Sequence, residues 1–481
     1  MKHGHDQTAG LTRRELLGSV SSGVGAAAVC PMMGSSMSGE GQGLVGVPHH
    51  DPKARRAIYL FMNGAPSHVE LFDYKPKLRE MHGKEVPASY LGGKRFSTMT
   101  GDPKGKVMLG SIEPFRQRGE SGAWVSDLMP FTAEIADELC FVKGLHTEAV
   151  NHAPAINFFL SGAEMAGRPS LGAWLSYGLG CEVDNLPAFV VMTSVSKGTT
   201  CGQIFYDFYW GSGFLPTRHQ GVKFHAGGDP VLYLSNPPGV SRRARRGILD
   251  DLARLNEMQM ARMGDPEIAT RVAQYEMAYR MQTSVPDLAD LSDEPQHVLD
   301  MYGPQVLERG TFAHNCLMAR RLIERGVRFV QVMHAGWDQH NSITTELYTQ
   351  CKDTDQPSAA LVADLKQRGL LDDTLVVWGG EFGRTPFIQG DLNNRKRWGR
   401  DHHPYAFTKW IAGGGSRAGT SHGETDDLAM NAVQDRVHVH DFQATLLHLL
   451  GIDHERLTYR HQGRNYRLTD VHGEVVRELL A

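Results

Sequence analysis

The chain of 481 residues carries 50 basic and 54 acidic side chains, a formal net charge of −4. With 41% hydrophobic and 22% charged residues it has the balance of a folded globular protein, which excludes collagen-like, coiled-coil and wholly disordered chains. The charge argues against sequence-general nucleic-acid binding, and no apolar run reaches the roughly 20 residues that span a bilayer.

The first segment reads as an address. Thr12-Arg13-Arg14-Glu15-Leu16-Leu17 precedes a weakly apolar, acid-free run over 18–30, the layout of a twin-arginine export signal. Arg13 and Arg14 are therefore expected to meet the twin-arginine export machinery. Residues 1–30 are expected to be removed and the protein to be exported, to the periplasm or beyond. Residues 31–53, rich in Gly, Ser and Met, read as a linker, and 54–481 as a single domain.

Short runs rich in β-branched and aromatic residues, bounded by Gly, Asn or Asp, predict buried strands over 57–62, 188–193, 328–334, 374–378 and 407–412. Between strands, Ala360, Leu361, Ala363, Leu365 and Leu370 give an apolar helical face that predicts a helix over 357–371, closed near Gly369. Helix and strand in alternation predict an α/β fold with a mainly parallel central sheet and helices on both faces. A long central excursion over about 194–300 interrupts it. Its first part reads as loops with an aromatic cluster, Tyr206, Tyr209 and Trp210. Its second part is helical and opens on the basic run Arg242-Arg243-Ala244-Arg245-Arg246, read as a solvated helix start. The six cysteines, Cys30, Cys140, Cys181, Cys201, Cys316 and Cys351, form no CxxC pair and are too few for a disulfide scaffold.

In parallel sheets the functional loops lie beyond the carboxyl ends of the strands. Three such loops carry ligand chemistry: His334-Ala-Gly-Trp-Asp338-Gln-His340, Gly379-Gly380-Glu381-Phe382-Gly383-Arg384, and Gly399-Arg400-Asp401-His402-His403. Imidazole and carboxylate together are a ligand set for a divalent cation. The chain holds 23 histidines, many in Gly- and Asp-rich loops where a core role is unsuited. Arg384 and Arg400 read either as bidentate holders of phosphate or sulfate oxygens or as partners of structural salt bridges.

The run from Ala57 through Asn63-Gly64-Ala-Pro-Ser67-His68 to Asp73, with Asn151-His152-Ala-Pro154, Trp337-Asp338-Gln-His340, Gly380-Glu381-Phe-Gly-Arg384 and Gly399-Arg-Asp401-His402, resembles the exported family labelled domain of unknown function 1501. The resemblance covers nearly the whole chain and implies an alkaline phosphatase/sulfatase-like fold. Residues 370–383 are similar to the sulfatase strand ending Ser-Asp-His-Gly, with Glu381 in the place of a metal-binding Asp and Phe382 in that of a His. Asp441-Phe-Gln-Ala-Thr445-Leu-Leu447 is similar to the sulfatase C-terminal Asp-x-x-Pro-Thr-Leu-Leu. Asn63 stands where the superfamily has a metal-binding Asp, and His152 stands at the nucleophile position, where neither Cys nor Ser is present.

The resemblance implies an exported metal-dependent hydrolase of a phosphate or sulfate ester, acting on a small-molecule or carbohydrate ester. The metal ligands are drawn from Asn63, Asp338, His340, Glu381, His402 and His403, with His152 and Arg384 at the reacting group. The cofactor is one or more divalent ions, Zn, Mn or Ca. His152 is read as a nucleophile, a general base or a further ligand, and His68, Glu70 and Asp73 as replacement ligands. The alternative is a non-catalytic metal- or ligand-binding protein on the same scaffold.

Overall fold

A central strand buried on both faces must be apolar along its whole length, since neither side meets water. Arg56–Asn63 is such a strand (β1): every residue after Arg56 is buried. Ile58, Leu60 and Met62 enter one hydrophobic core, while Ala57, Tyr59 and Phe61 enter the other. That split follows from the two-residue period of a strand. The computed structural model describes residues 43–481 other than 197–204, 228 and 232–233. The described residues fall in one compact unit. The proposed signal arginines Arg13 and Arg14 lie outside them, as do Cys30 and Cys201.

The remaining strands of the main sheet are β2 (Leu139–His146), β3 (Phe189–Val195), β4 (Val222–Phe224), β5 (Phe329–Ala335), β6 (Thr374–Gly379), β7 (Phe407–Ala412), β8 (Thr420–His422) and β9 (Val437–His438). Their order is β8-β2-β7-β6-β1-β5-β3-β4, with β9 also beside β2. β7 alone runs against its neighbours β2 and β6; the other pairings are parallel. The five strands expected from sequence lie within two residues of their expected ends. β2 escaped because Lys143 and Gly144 break its apolar run. The short strand β8 escaped because its residues are partly or fully exposed and none is apolar.

Helices cover both faces. On one, α5 (Phe312–Glu324), α6 (Ile343–Gln367) and the end of α4 (Pro266–Ala289) pack over β1, β5 and β6. On the other lie α1 (His152–Ser161), α2 (Leu171–Leu179) and α7 (Val439–Leu449). Sequence placed the start of α6 at Pro357, but the helix begins at Ile343 and Pro357 lies inside it. Neighbouring hydroxyls bond back to carbonyls there, Thr354 Oγ1 to Gln350 O and Ser358 Oγ to Thr354 O, and the buried apolar face holds the turn despite the missing N–H.

The first part of the excursion is more than loops, and its second part is helical as expected. β4 extends the sheet, and α3 (Arg242–Met263) and α4 form a hairpin broken at Gly264, which adopts φ +67°. The basic run is the first turn and a half of α3, capped by Ser241, whose hydroxyl accepts from Ala244 N–H. Within the expected linker, residues from Gly43 onward lie against the body. Leu44 N–H donates to Gly178 O, and Lys53 and Ala54 N–H to Leu449 O.

Candidate metal centre

Strand register decides what shares the upper edge of the sheet. Asn63 pairs with Ala335, and Phe61 with Gly379, so the loops after β1, β5 and β6 emerge side by side. Gly64, at φ +107°, lets the first loop touch the second: a Cβ there would stand 2.6 Å from Asp338 N. His152 lies in the first turn of α1, and His402 is held opposite Arg384 by a two-residue antiparallel pairing.

One donor atom from each of His152, Asp338, His340 and His402 falls within 4.8 Å of the others. The Nε2 atoms of His340, His152 and His402 stand 2.8, 3.1 and 3.4 Å from Asp338 Oδ1, and those of His340 and His402 are 3.0 Å apart. Each ring's other nitrogen faces an oxygen that can only accept. His152 Nδ1 is 2.5 Å from Glu381 Oε1, His340 Nδ1 2.6 Å from Gln389 Oε1, and His402 Nδ1 2.7 Å from Val150 O. The N–H of each neutral ring therefore sits on Nδ1, and all three Nε2 lone pairs converge with a carboxylate oxygen. Lone pairs packed this closely in a buried place repel unless a cation lies among them.

A proton on one ring is the simplest such cation, and His152 favours holding it. Burial works against a charged His152, but the Asp338 and Glu381 carboxylates outweigh it and hold the imidazole above its usual value. Burial, helped by Arg384, pushes His402 down to about 4. Burial opposes ionisation of Asp338, yet the Arg384 guanidinium and the three imidazoles hold it well below the usual carboxylate range. Asp401 is also held low: against its burial, Ser97 and Thr100 hydroxyls donate to Oδ2 and His402 N–H to Oδ1.

Not every expected residue joins the four. Glu381 stands behind His152, its Oε1 accepting from His152 Nδ1–H and from Gly64 N–H at 3.0 Å, while Oε2 is buried without a partner. Asn63 beside it is fully buried with both amide atoms unpartnered. His403 points away: its Nε2 donates to Met430 O, and its ring stacks 6.4 Å from His68. His334 is sealed between Ser194, Ser196 and Gln350. His68, Glu70 and Asp73 are engaged elsewhere, with Ala429 O, Arg400 and Thr425 respectively. Of the aromatic cluster, Tyr209 and Trp210 are core and Tyr206 is exposed.

Both arginines take the second of their two expected roles, that of structural partners. Arg384 is 1% exposed, and its fork is spent on the carbonyls of Ala65, Gly64, Trp337 and Arg400 and on Asp338 at 2.7 Å. It positions Asp338 and is not placed to clamp a substrate anion. Arg400 is likewise given to Glu70 and to three carbonyls. The sequence missed Gln389 and Val150, whose side chain and carbonyl fix two of the rings; neither residue type signals such a role.

No curated protein matches the sequence. Among solved structures, the chain is similar to the PsFucS1 sulfatase from Pseudoalteromonas sp. at 12% identity, over 84% of this chain and 68% of that one, with a TM-score of 0.33. It is similar to the lipoteichoic acid synthase LtaP from Listeria monocytogenes at 9% identity, over 83% and 72%, with a TM-score of 0.31. With the alkaline phosphatase from the Antarctic bacterium TAB5 it shares 11% identity over 83% and 98%, at a TM-score of 0.25. Residues 54–480 match the family described as "Protein of unknown function (DUF1501)", and the chain belongs to that family.

Proposed function

We propose that the protein is an exported metal-dependent hydrolase of phosphate or sulfate esters. The observation that carries this reading is the convergence of three Nε2 lone pairs with Asp338 Oδ1, each ring fixed from behind by an oxygen acceptor. His152, Asp338, His340 and His402 would hold the ion. Asn63 and Glu381 Oε2 lie buried and unpartnered beside them, and Glu381 serves the His152 ring rather than the ion. Of Zn, Mn and Ca, the three-imidazole set suits Zn or Mn, because Ca takes six to eight oxygens. A divalent ion there supplies Lewis-acid polarisation of an ester oxygen.

The chain's own groups do the rest. Glu381 keeps the His152 proton on Nδ1, leaving Nε2 to bind or to take a proton at the attacked centre. Arg384 holds Asp338 ionised and in place. Arg384 and Arg400 are both engaged and neither is free to clamp a substrate anion, and that observation favours the second reading, a metal- or ligand-binding protein without hydrolysis. Export rests on the Arg13-Arg14 segment alone.

Metal content of the purified mature protein, measured beside His340→Ala and His402→Ala, tests the reading. Stoichiometric metal in the wild type, lost in both variants, is expected, followed by hydrolysis of an aryl phosphate or aryl sulfate. Metal without hydrolysis selects the second reading, and a folded, metal-supplemented protein without bound metal refutes the hydrolase and leaves a non-catalytic ligand-binding protein ahead.

A further inference from the structure

Charge is unevenly spread over this chain. Residues 79–107 carry six basic and three acidic side chains, and residues 389–398 three basic and one acidic, a net of five positive charges on a protein whose total is −4. The two segments are one surface in the fold. Ile388 N–H donates to Val107 O, Leu109 N–H to Pro386 O, and the rings of His82 and Trp398 lie 5.5 Å apart. Arg395, Lys396 and Arg397 are exposed, as are Lys84 and Lys104. None of the nine basic side chains has an ion-pair partner among the described residues. Cations in excess of the carboxylates around them repel one another, and an arrangement of this kind is stabilised by an anionic partner.

This lip adjoins the candidate centre. Gln389, at its edge, accepts from His340 Nδ1–H at 2.6 Å, and Ser97 and Thr100 donate to Asp401, which precedes His402. The carbonyls of Arg395 and Lys396 accept from Thr344 and Ser342 hydroxyls, which pins the loop to the start of α6, three residues after His340. The lip is rigidly registered to the metal ligands through its backbone, while its charged ends stay in water.

We infer that this lip docks an anionic polysaccharide bearing several sulfate or phosphate groups, one of which reaches the His152, Asp338, His340 and His402 centre. The substrate class rests on the hydrolase reading; the docking surface does not. Lipid is disfavoured because Met99 is the one large apolar side chain exposed on the two segments. Single-stranded nucleic acid is disfavoured because few aromatic faces are offered for stacking: Phe96 and Phe387 are buried, Tyr90 is partly buried, and Trp398 lies against His82 and Arg395.

The test uses the full mature protein with labelled heparin, dextran sulfate, neutral dextran, single-stranded DNA and phosphatidylglycerol vesicles. The variant is Arg395→Glu/Lys396→Glu/Arg397→Glu. The control reverses the same number of exposed positive charges on α3, Arg243→Glu/Arg254→Glu/Arg262→Glu. Both sulfated polymers should bind and neutral dextran should not. By analogy with single-stranded polyelectrolytes, losing three contacts should flatten the log–log salt dependence by about two and weaken binding about a hundredfold near ~0.1 M salt. The control should keep wild-type affinity, and all three proteins should keep the same metal content. Absence of heparin binding at ~50 mM salt, equal loss in the control, or tighter binding of DNA or vesicles overturns the inference. A protein that binds heparin but holds no metal leaves the lip standing and removes only the hydrolase reading.

Discussion

Glu381→Gln separates the role of a carboxylate behind the centre from that of a ligand within it. In the structure Glu381 Oε1 accepts from His152 Nδ1–H and Gly64 N–H, and Oε2 is buried with no partner. The amide keeps the volume and one accepting oxygen but loses the charge that holds the His152 proton on Nδ1. Changes to partners of metal-bound histidines typically cost 10–100-fold in affinity, or about 1.4–2.8 kcal/mol. An amide NH₂ in the place of Oε2 adds an orphaned donor and roughly 1–3 kcal/mol of stability loss. Chelator competition at fixed pH gives the first quantity and urea unfolding of the metal-free protein the second. Affinity should fall within that range, far less than in His402→Ala. Unchanged affinity would show that Glu381 does not orient His152. A loss equal to that of His402→Ala would make Oε2 a ligand and refute the arrangement.

Arg384→Lys should destabilise even the metal-free protein by roughly 3–5 kcal/mol, because one ammonium cannot replace a fork shared among four carbonyls and Asp338; urea midpoints check this. Gly64→Ala should lose both stability and metal, since its Cβ would meet the Trp337–Asp338 backbone at 2.6–2.9 Å and φ is +107°; metal analysis and thermal unfolding test it, and a wild-type result contradicts the close approach. His334, fully buried, is pushed down to about 4 by burial, so it folds neutral. Its contribution is complete above the unfolded value near 6.5 and is lost as pH falls from there through about 4, roughly 3 kcal/mol in all. His334→Gln should flatten that part of the stability-against-pH curve, and an unchanged slope would assign the acid sensitivity elsewhere.

The strands were legible because a strand buried on both faces must be apolar throughout, as in β1 and β6, and their β-branched content and flanking turn residues set them apart from buried helix. Helices were legible by face but not by extent. The face of α6 continues N-terminal to Pro357, where Leu347, Gln350 and Cys351 are buried by packing that local rules do not contain. His152, Asp338, His340 and His402 were all named from sequence, since imidazole and carboxylate after strand ends are scarce and chemically marked. His403 shows the limit: adjacent to His402, it is sent to the opposite side by the alternation of an extended pair.

Sequence by itself determined the residue types available at the sheet edge and hence the class of ligand they suit. Only the tertiary structure decided their roles, because role depends on partners far away in the chain. Arg384 became a strut when the loops after β1 and β5 surrounded it with carbonyls. Glu381 became the partner of His152, 229 residues away. The tautomer of each ring was set by an oxygen from Glu381, Gln389 or Val150, and no sequence pattern carries that choice.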